Sequence, residues 1–215
     1  MNKLGFFEFL KYRSADIIKL TGQHIRITGI AVLLAVIVGV PLGIYITKNK
    51  KVSNSVLNIA NVFQTLPSLA LFGLIIPIMG IGFKPAIFVL FLYALLPIIK
   101  NTYIGIKSIE PSIIEAGKGM GMTKAQILTM VEIPLALPII MGGIRISTVI
   151  NIGTATIAAL IGAGGLGDFI FKGISMSNNN MILAGAVPTA LLAISVDFIL
   201  GIVENKLTPL GVKSI

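Results

Sequence analysis

Charged side chains inside long apolar stretches are the residues of this chain most able to do chemistry. Residues 133–167 carry one charge, Arg145, and residues 173–203 carry one, Asp197. A charge in an apolar span is costly, so it faces protein or a water-filled path. The two lie at similar depths from the ends of their stretches and can pair. Three chemistries are open to them: an ion pair pinning two helices, a part in a substrate path, or a proton relay. Gln64, Thr65, Ser68, Asn151, Thr154 and Thr156 add polar groups within apolar stretches. They are candidates to line a path, although Ser and Thr in such helices more often serve helix–helix contacts.

Residue type excludes much else. The chain has no cysteine, which removes disulfides, thiolate metal sites and a cysteine nucleophile. The one histidine, His24, cannot build a metal site alone and is expected at the edge of an apolar segment. No Ser-His-Asp set or carboxylate dyad is assigned, so no catalytic residue and no metal ligand is expected. Gly162-Ala163-Gly164-Gly165-Leu166-Gly167 satisfies G-x-G-x-x-G. A dinucleotide fingerprint needs a preceding strand and a ribose-binding acid about 20 residues on, and position 187 is Val. The glycines are read instead as a helix end and turn, where φ > 0 and close packing are available. Gly162, Gly164, Gly165 and Gly167 are expected to form an outer gate.

The elements that position these residues must live in lipid. The 215 residues are 55% hydrophobic and 12% charged, against roughly 25% charged in a soluble domain. A net charge of +9 then reads as Lys and Arg flanking spans rather than as nucleic-acid binding. Residues 1–22 mix charge with Leu, Phe and Ile and suit an amphipathic segment at the interface. The membrane domain is expected over 23–207, with a cytoplasmic tail at 208–215. Residues 27–47 form the first uncharged stretch. Residues 52–83 are also uncharged but too long for one straight crossing. They would run about 48 Å at ~1.5 Å per residue, against ~30 Å of hydrocarbon. Pro67 and Pro77 lie inside, so a kinked helix, or a helix plus a re-entrant piece, is expected. Residues 85–99, 133–167 and 173–203 complete an all-α bundle of five crossings; six result if a long stretch splits.

Five crossings place Lys48, Lys50, Lys51, Lys100, Lys107, Lys118, Lys124, Lys206 and Lys213 on one side. That side is cytoplasmic by the positive-inside rule. The N-terminus is then outside despite Lys3, Lys11, Arg13, Lys19 and Arg26, in conflict with the same rule.

The cytoplasmic loop at 108–134 is the most informative segment. Ser112 with Glu115 and Thr123 with Gln126 fit capping boxes, and Pro111 offers an alternative start as a first-turn proline. Gly117, Gly119 and Gly121 are expected to end the first helix and turn the chain. Two short helices joined by a glycine corner make a docking surface for a cytoplasmic partner.

Glu115-Ala116-Gly117, three residues, Gly121, nine residues, then Val131-Glu132-Ile133-Pro134 is similar to the EAA signature of permease subunits of binding-protein-dependent ABC importers. It departs from that signature at Gly117, Val131 and Ile133, each a small or conservative change. The resemblance implies a coupling helix seated in a groove of an ATP-binding subunit. It assigns the coupling to Glu115, Ala116, Gly117 and Gly121, with Met122 and Thr123 beside them. The whole chain resembles the osmoprotectant permeases that carry glycine betaine, carnitine or choline. The residues are Phe63 to Ala70 (FQTLPSLA), Gly143-Ile144-Arg145, and the run from Gly153 to Gly167. Methionine-type permeases share part of that run. The resemblance implies a second permease subunit (a copy or a paralogue), two ATP-binding subunits holding ATP and Mg, and an extracytoplasmic binding protein. No cofactor is expected on this chain, and no Walker A sequence occurs in it.

Overall fold

The computed structural model describes residues 5–208, which are helical with no strand. The expected tail lies outside them apart from Thr208. The order is α1 (Phe6–Tyr12), α2 (Ser14–Ile46), α3 (Lys50–Thr65), α4 (Ser68–Met79), α5 (Phe83–Lys107), α6 (Pro111–Gly119), α7 (Lys124–Gln126), α8 (Ile133–Thr154), α9 (Gly167–Ser175) and α10 (Asn179–Leu207). A π-helical stretch, Ile127–Glu132, joins α7 to α8, and a 3-10 turn, Ile157–Ile161, follows α8.

Among the described residues, four helices are long and apolar enough to cross a membrane: Ser14–Ile46, Phe83–Lys107, Lys124–Thr154 and Asn179–Leu207. The pair α3 and α4, bent by 98°, makes the fifth span if it counts as one. The break falls at Leu66-Pro67, where proline removes a donor and pushes its neighbour out of helical geometry. The helix that carries the first expected crossing starts at Ser14, so the boundary expected at 22–23 falls inside α2.

Local chemistry sets the ends. Asn49 caps α3 by accepting from Lys51 and Val52 N–H, and Asn178 caps α10 by accepting from Met181 N–H. The π-stretch stands directly before Pro134, which has no N–H to give the Met130 carbonyl.

The centre of the bundle is α2, α5 and α8, packed through glycine. A Cβ on Gly43 of α2 would lie 2.6 Å from Thr102 Cβ on α5. One on Gly143 of α8 would lie 2.6 Å from Asn101 Cβ. Small residues let membrane helices approach where no hydrophobic effect drives them together. The most apolar window of α5 is 56% buried and that of α10 only 6%. So α5 is the core, and α10 offers most of its surface to lipid or another subunit.

Candidate coupling surface and translocation elements

The loop begins with Pro111 at the first position of α6. That start wins over the Ser112–Glu115 capping box, which does not form. The Thr123–Gln126 box does: Thr123 Oγ1 accepts from Gln126 N–H at 3.3 Å, and Gln126 Oε1 accepts from Thr123 N–H at 2.8 Å. The helix ends at Gly119, and Met122 N–H donates back to the Gly117 carbonyl at 3.1 Å. Gly121 takes φ +79°, where a side chain is strained. Gly117 does not turn the chain as expected. It is buried inside α6, where a Cβ would sit 3.4 Å from Met122 Sδ and 3.5 Å from Ile127 Cγ1. The second helix is not a separate short one either. It runs through the π-stretch into α8, so α6 is seated on the root of a membrane-spanning helix.

The faces of α6 divide by helical spacing. Pro111, Ile114, Glu115 and Lys118 turn toward the ends of α2 and α5. Ile113, Ala116 and Met120 are exposed, Met120 at 75%. An exposed apolar strip of this kind marks an interaction surface.

Between α8 and α10, Arg145 donates from Nε to Asp197 Oδ1 at 3.0 Å and from Nη2 to Asp197 Oδ2 at 3.0 Å. It also donates from Nη1 to Glu204 Oε2 at 2.8 Å. This bidentate fork leaves α8 tied to α10. Asp197, Gly201 and Glu204 share one face of α10, and a Cβ on Gly201 would lie 3.4 Å from Arg145 Cζ. Glu204 was not expected as a partner. Its spacing of seven residues from Asp197 is the signal that could have found it.

Five of the six polar path candidates cluster at two breaks. Gln64, Thr65 and Ser68 flank the α3–α4 break, and Thr154 and Thr156 lie at the end of α8. Leu66 and Ile157, one from each break, pack on the same hydrophobic cluster. Tyr93 of α5 donates to the Leu66 carbonyl. Thr65, Thr154 and Thr156 donate to carbonyls of their own chain segments at 2.8, 3.0 and 2.8 Å. Asn151 is wholly buried, with both amide atoms unpartnered.

Beyond the end of α8, α2 secures the glycine run. Gly162, Gly164 and Gly165 have φ of +75°, +79° and +91°. A Cβ on Gly164 would overlap Gln23 Oε1, and one on Gly167 would overlap the Thr156 carbonyl. Gln23 Oε1 accepts from Gly165 N–H at 3.1 Å, and His24 Nδ1 accepts from Leu166 N–H at 3.3 Å. Donation to Nδ1 places the ring hydrogen on Nε2, which donates to the Ile152 carbonyl at 2.9 Å. Adjacent residues of α2 thus satisfy the last turn of α8 and the start of α9, groups that helix ends leave unpaired. His24 is 0% exposed and structural, not the interfacial residue expected. His24→Leu should strand the Leu166 N–H and the Ile152 carbonyl. Amide exchange at 162–167, followed by mass spectrometry, should quicken roughly 5–150-fold, since a lost buried partner costs ~1–3 kcal/mol. Unchanged exchange there would refute the latch.

Residues 39–209 match the model of the binding-protein-dependent transport system inner membrane component family. The chain belongs to that family. The choline transport system permease protein OpuBB of Bacillus subtilis (strain 168) is 48% identical over 206 residues, covering 96% of this chain and 95% of that one. The glycine betaine/carnitine/choline transport system permease protein OpuCB of the same organism is 48% identical over 205 residues, covering 95% and 94%. A chain of the MetNI methionine ABC transporter in inward-facing conformations superposes with a TM-score of 0.81 at 25% identity, covering 90% of this chain and 96% of that one. As a binding-protein-dependent inner membrane component, the chain is a transport subunit that works with ATPase partners. Its place is the inner membrane. The G-x-G-x-x-G run lies between a 3-10 turn and α9 with no strand among the described residues, so the dinucleotide pattern has no structural context.

Proposed function

We propose that this chain is the membrane-spanning subunit of an ATP-driven importer for small quaternary-amine osmoprotectants: glycine betaine, carnitine and choline. The observation that carries the substrate class is identity of about half the residues, over nearly the whole chain, with permeases named for those solutes. The absence of Trp leaves no indole cage for a quaternary ammonium here. That favours recognition by a separate extracytoplasmic binding protein.

Five spans enclose no pathway alone, so a second permease, a copy or a paralogue, completes it. Two ATP-binding subunits hold ATP and Mg. Glu115, Ala116, Gly117, Gly121, Met122 and Thr123 form the coupling element. Closure of the ATPases pushes on α6, and the contact of Gly117 with Met122 and Ile127 passes the push to α8. At the far end of α8 lie the two breaks with Gln64, Thr65, Ser68, Asn151, Thr154 and Thr156, and the outer gate of Gly162, Gly164, Gly165 and Gly167. Arg145 with Asp197 and Glu204 makes α8 and α10 move together. The test is uptake of labelled solutes into proteoliposomes holding the assembled transporter and its binding protein. Choline, carnitine or glycine betaine should accumulate. Accumulation of methionine alone would overturn the substrate assignment.

A further inference from the structure

A cavity of about 830 Å³ opens between α6 and the cytoplasmic ends of α2 and α5. Lys48 reaches it from the turn after α2, and Lys107, Lys118 and Lys124 reach it from α5, α6 and α7. None of the four makes an ion pair among the described residues. Glu115 and Glu132 also line it, so ammonium groups outnumber carboxylates by two. The floor is apolar, from Ile44, Ile106, Ile114 and Leu128.

This combination selects its occupant. Cationic groups at the level where spans end attract the anionic lipids of the cytoplasmic leaflet, and long lysine stems lie along apolar surface while their heads reach out. A soluble phosphate would satisfy the lysines and leave the isoleucine floor bare. On the function proposed above, the ATPase docks on the opposite side of α6, where Ile113 and Met120 are exposed. The α6 residues that line the cavity, Pro111, Ile114, Glu115 and Lys118, instead face the membrane helices.

We propose that this cavity binds one anionic phospholipid, its phosphate among the four lysines and the start of an acyl chain on the isoleucine floor. Such a lipid would wedge α6 against α2 and α5 and stiffen the element through which the ATPase acts.

The experiment uses the assembled transporter, purified with its partners from membranes containing phosphatidylglycerol and phosphatidylethanolamine, washed in detergent and assayed for retained lipid by native mass spectrometry. The wild type should keep about one phosphatidylglycerol per permease chain. The triple variant Lys48→Gln/Lys107→Gln/Lys124→Gln should keep at least fivefold less. The pair Lys50→Gln/Lys51→Gln removes charge from the same membrane face but outside the cavity, and should retain the lipid. Equal retention by the triple variant would overturn the proposal. So would equal retention of phosphatidylethanolamine, or displacement by inorganic phosphate at matched ionic strength. A complex that holds no lipid because the ATPase fills the cavity would also overturn it. A second measurement needs no variant. A photoreactive phosphatidylglycerol should label wild-type peptides containing Ile44, Ile106 or Leu128, and labelling confined to other peptides would contradict the site.

Discussion

Leucine in place of Gly117 should leave the permease in the membrane and uncouple it from ATP. The position is buried at the seat of α6, with Met122 Sδ and Ile127 Cγ1 at 3.4 and 3.5 Å from the point a Cβ would occupy. Those distances are ordinary contact, so alanine should fit. Alanine is also the residue the family signature carries there, and Gly117→Ala should transport nearly as the wild type does. The branched end of leucine has no such room and must lift α6 from the root of α8. Overpacking of this kind costs typically ~1–3 kcal/mol, which as a coupling energy corresponds to roughly 5–150-fold. Substrate-stimulated ATP hydrolysis and uptake should fall by that factor, with permease abundance and basal hydrolysis little changed. Equal loss with alanine and leucine would show that the seat is not what matters.

Arg145→Leu should act on assembly instead. Removal of the guanidinium leaves Asp197 and Glu204 on one face of α10 with no cation between them. An unpaired carboxylate at membrane depth is costly, and modest losses of stability lower abundance several-fold in cells. The membrane level of the variant should therefore drop several-fold. The triple variant Arg145→Leu/Asp197→Leu/Glu204→Gln should recover much of it, because replacing a whole ionic cluster is tolerated where breaking it is not. Quantitative blotting of membrane fractions checks both. A recovered triple variant that still fails to transport would add a role in the path to the structural one. Normal levels of the single variant would refute the pinning role.

Much of this was legible in the sequence because the bilayer imposes simple rules. Uncharged length marked the spans, and Pro67 marked the break. The coupling loop was legible through its spacing, from Glu115 to Pro134. What escaped depended on contacts between distant segments. His24 looked interfacial because charges precede it in sequence; the helix nevertheless continues from Ser14, and the ring is enclosed by residues 128 and 142 positions away. Gly117 looked like a helix stop because glycine usually is one; here the lack of a side chain serves packing. Glu204 was overlooked because it lies just beyond the apolar stretch 173–203, yet a guanidinium reaches it from α8. Asn151 was picked out as polar, but that it is buried with no partner is visible only once the helices are packed.

The central claim is that α6 makes this chain an ATP-driven permease. It is tested most directly by reconstituting the permease with its ATPase and binding protein in liposomes, and following ATP hydrolysis and uptake together. Hydrolysis should rise when substrate-loaded binding protein is added, uptake should require ATP, and Gly117→Leu should lower stimulated hydrolysis and uptake roughly 5–150-fold while Gly117→Ala keeps them. Uptake that proceeds without ATP, or hydrolysis unchanged by the loaded binding protein and by Gly117→Leu, would contradict the account.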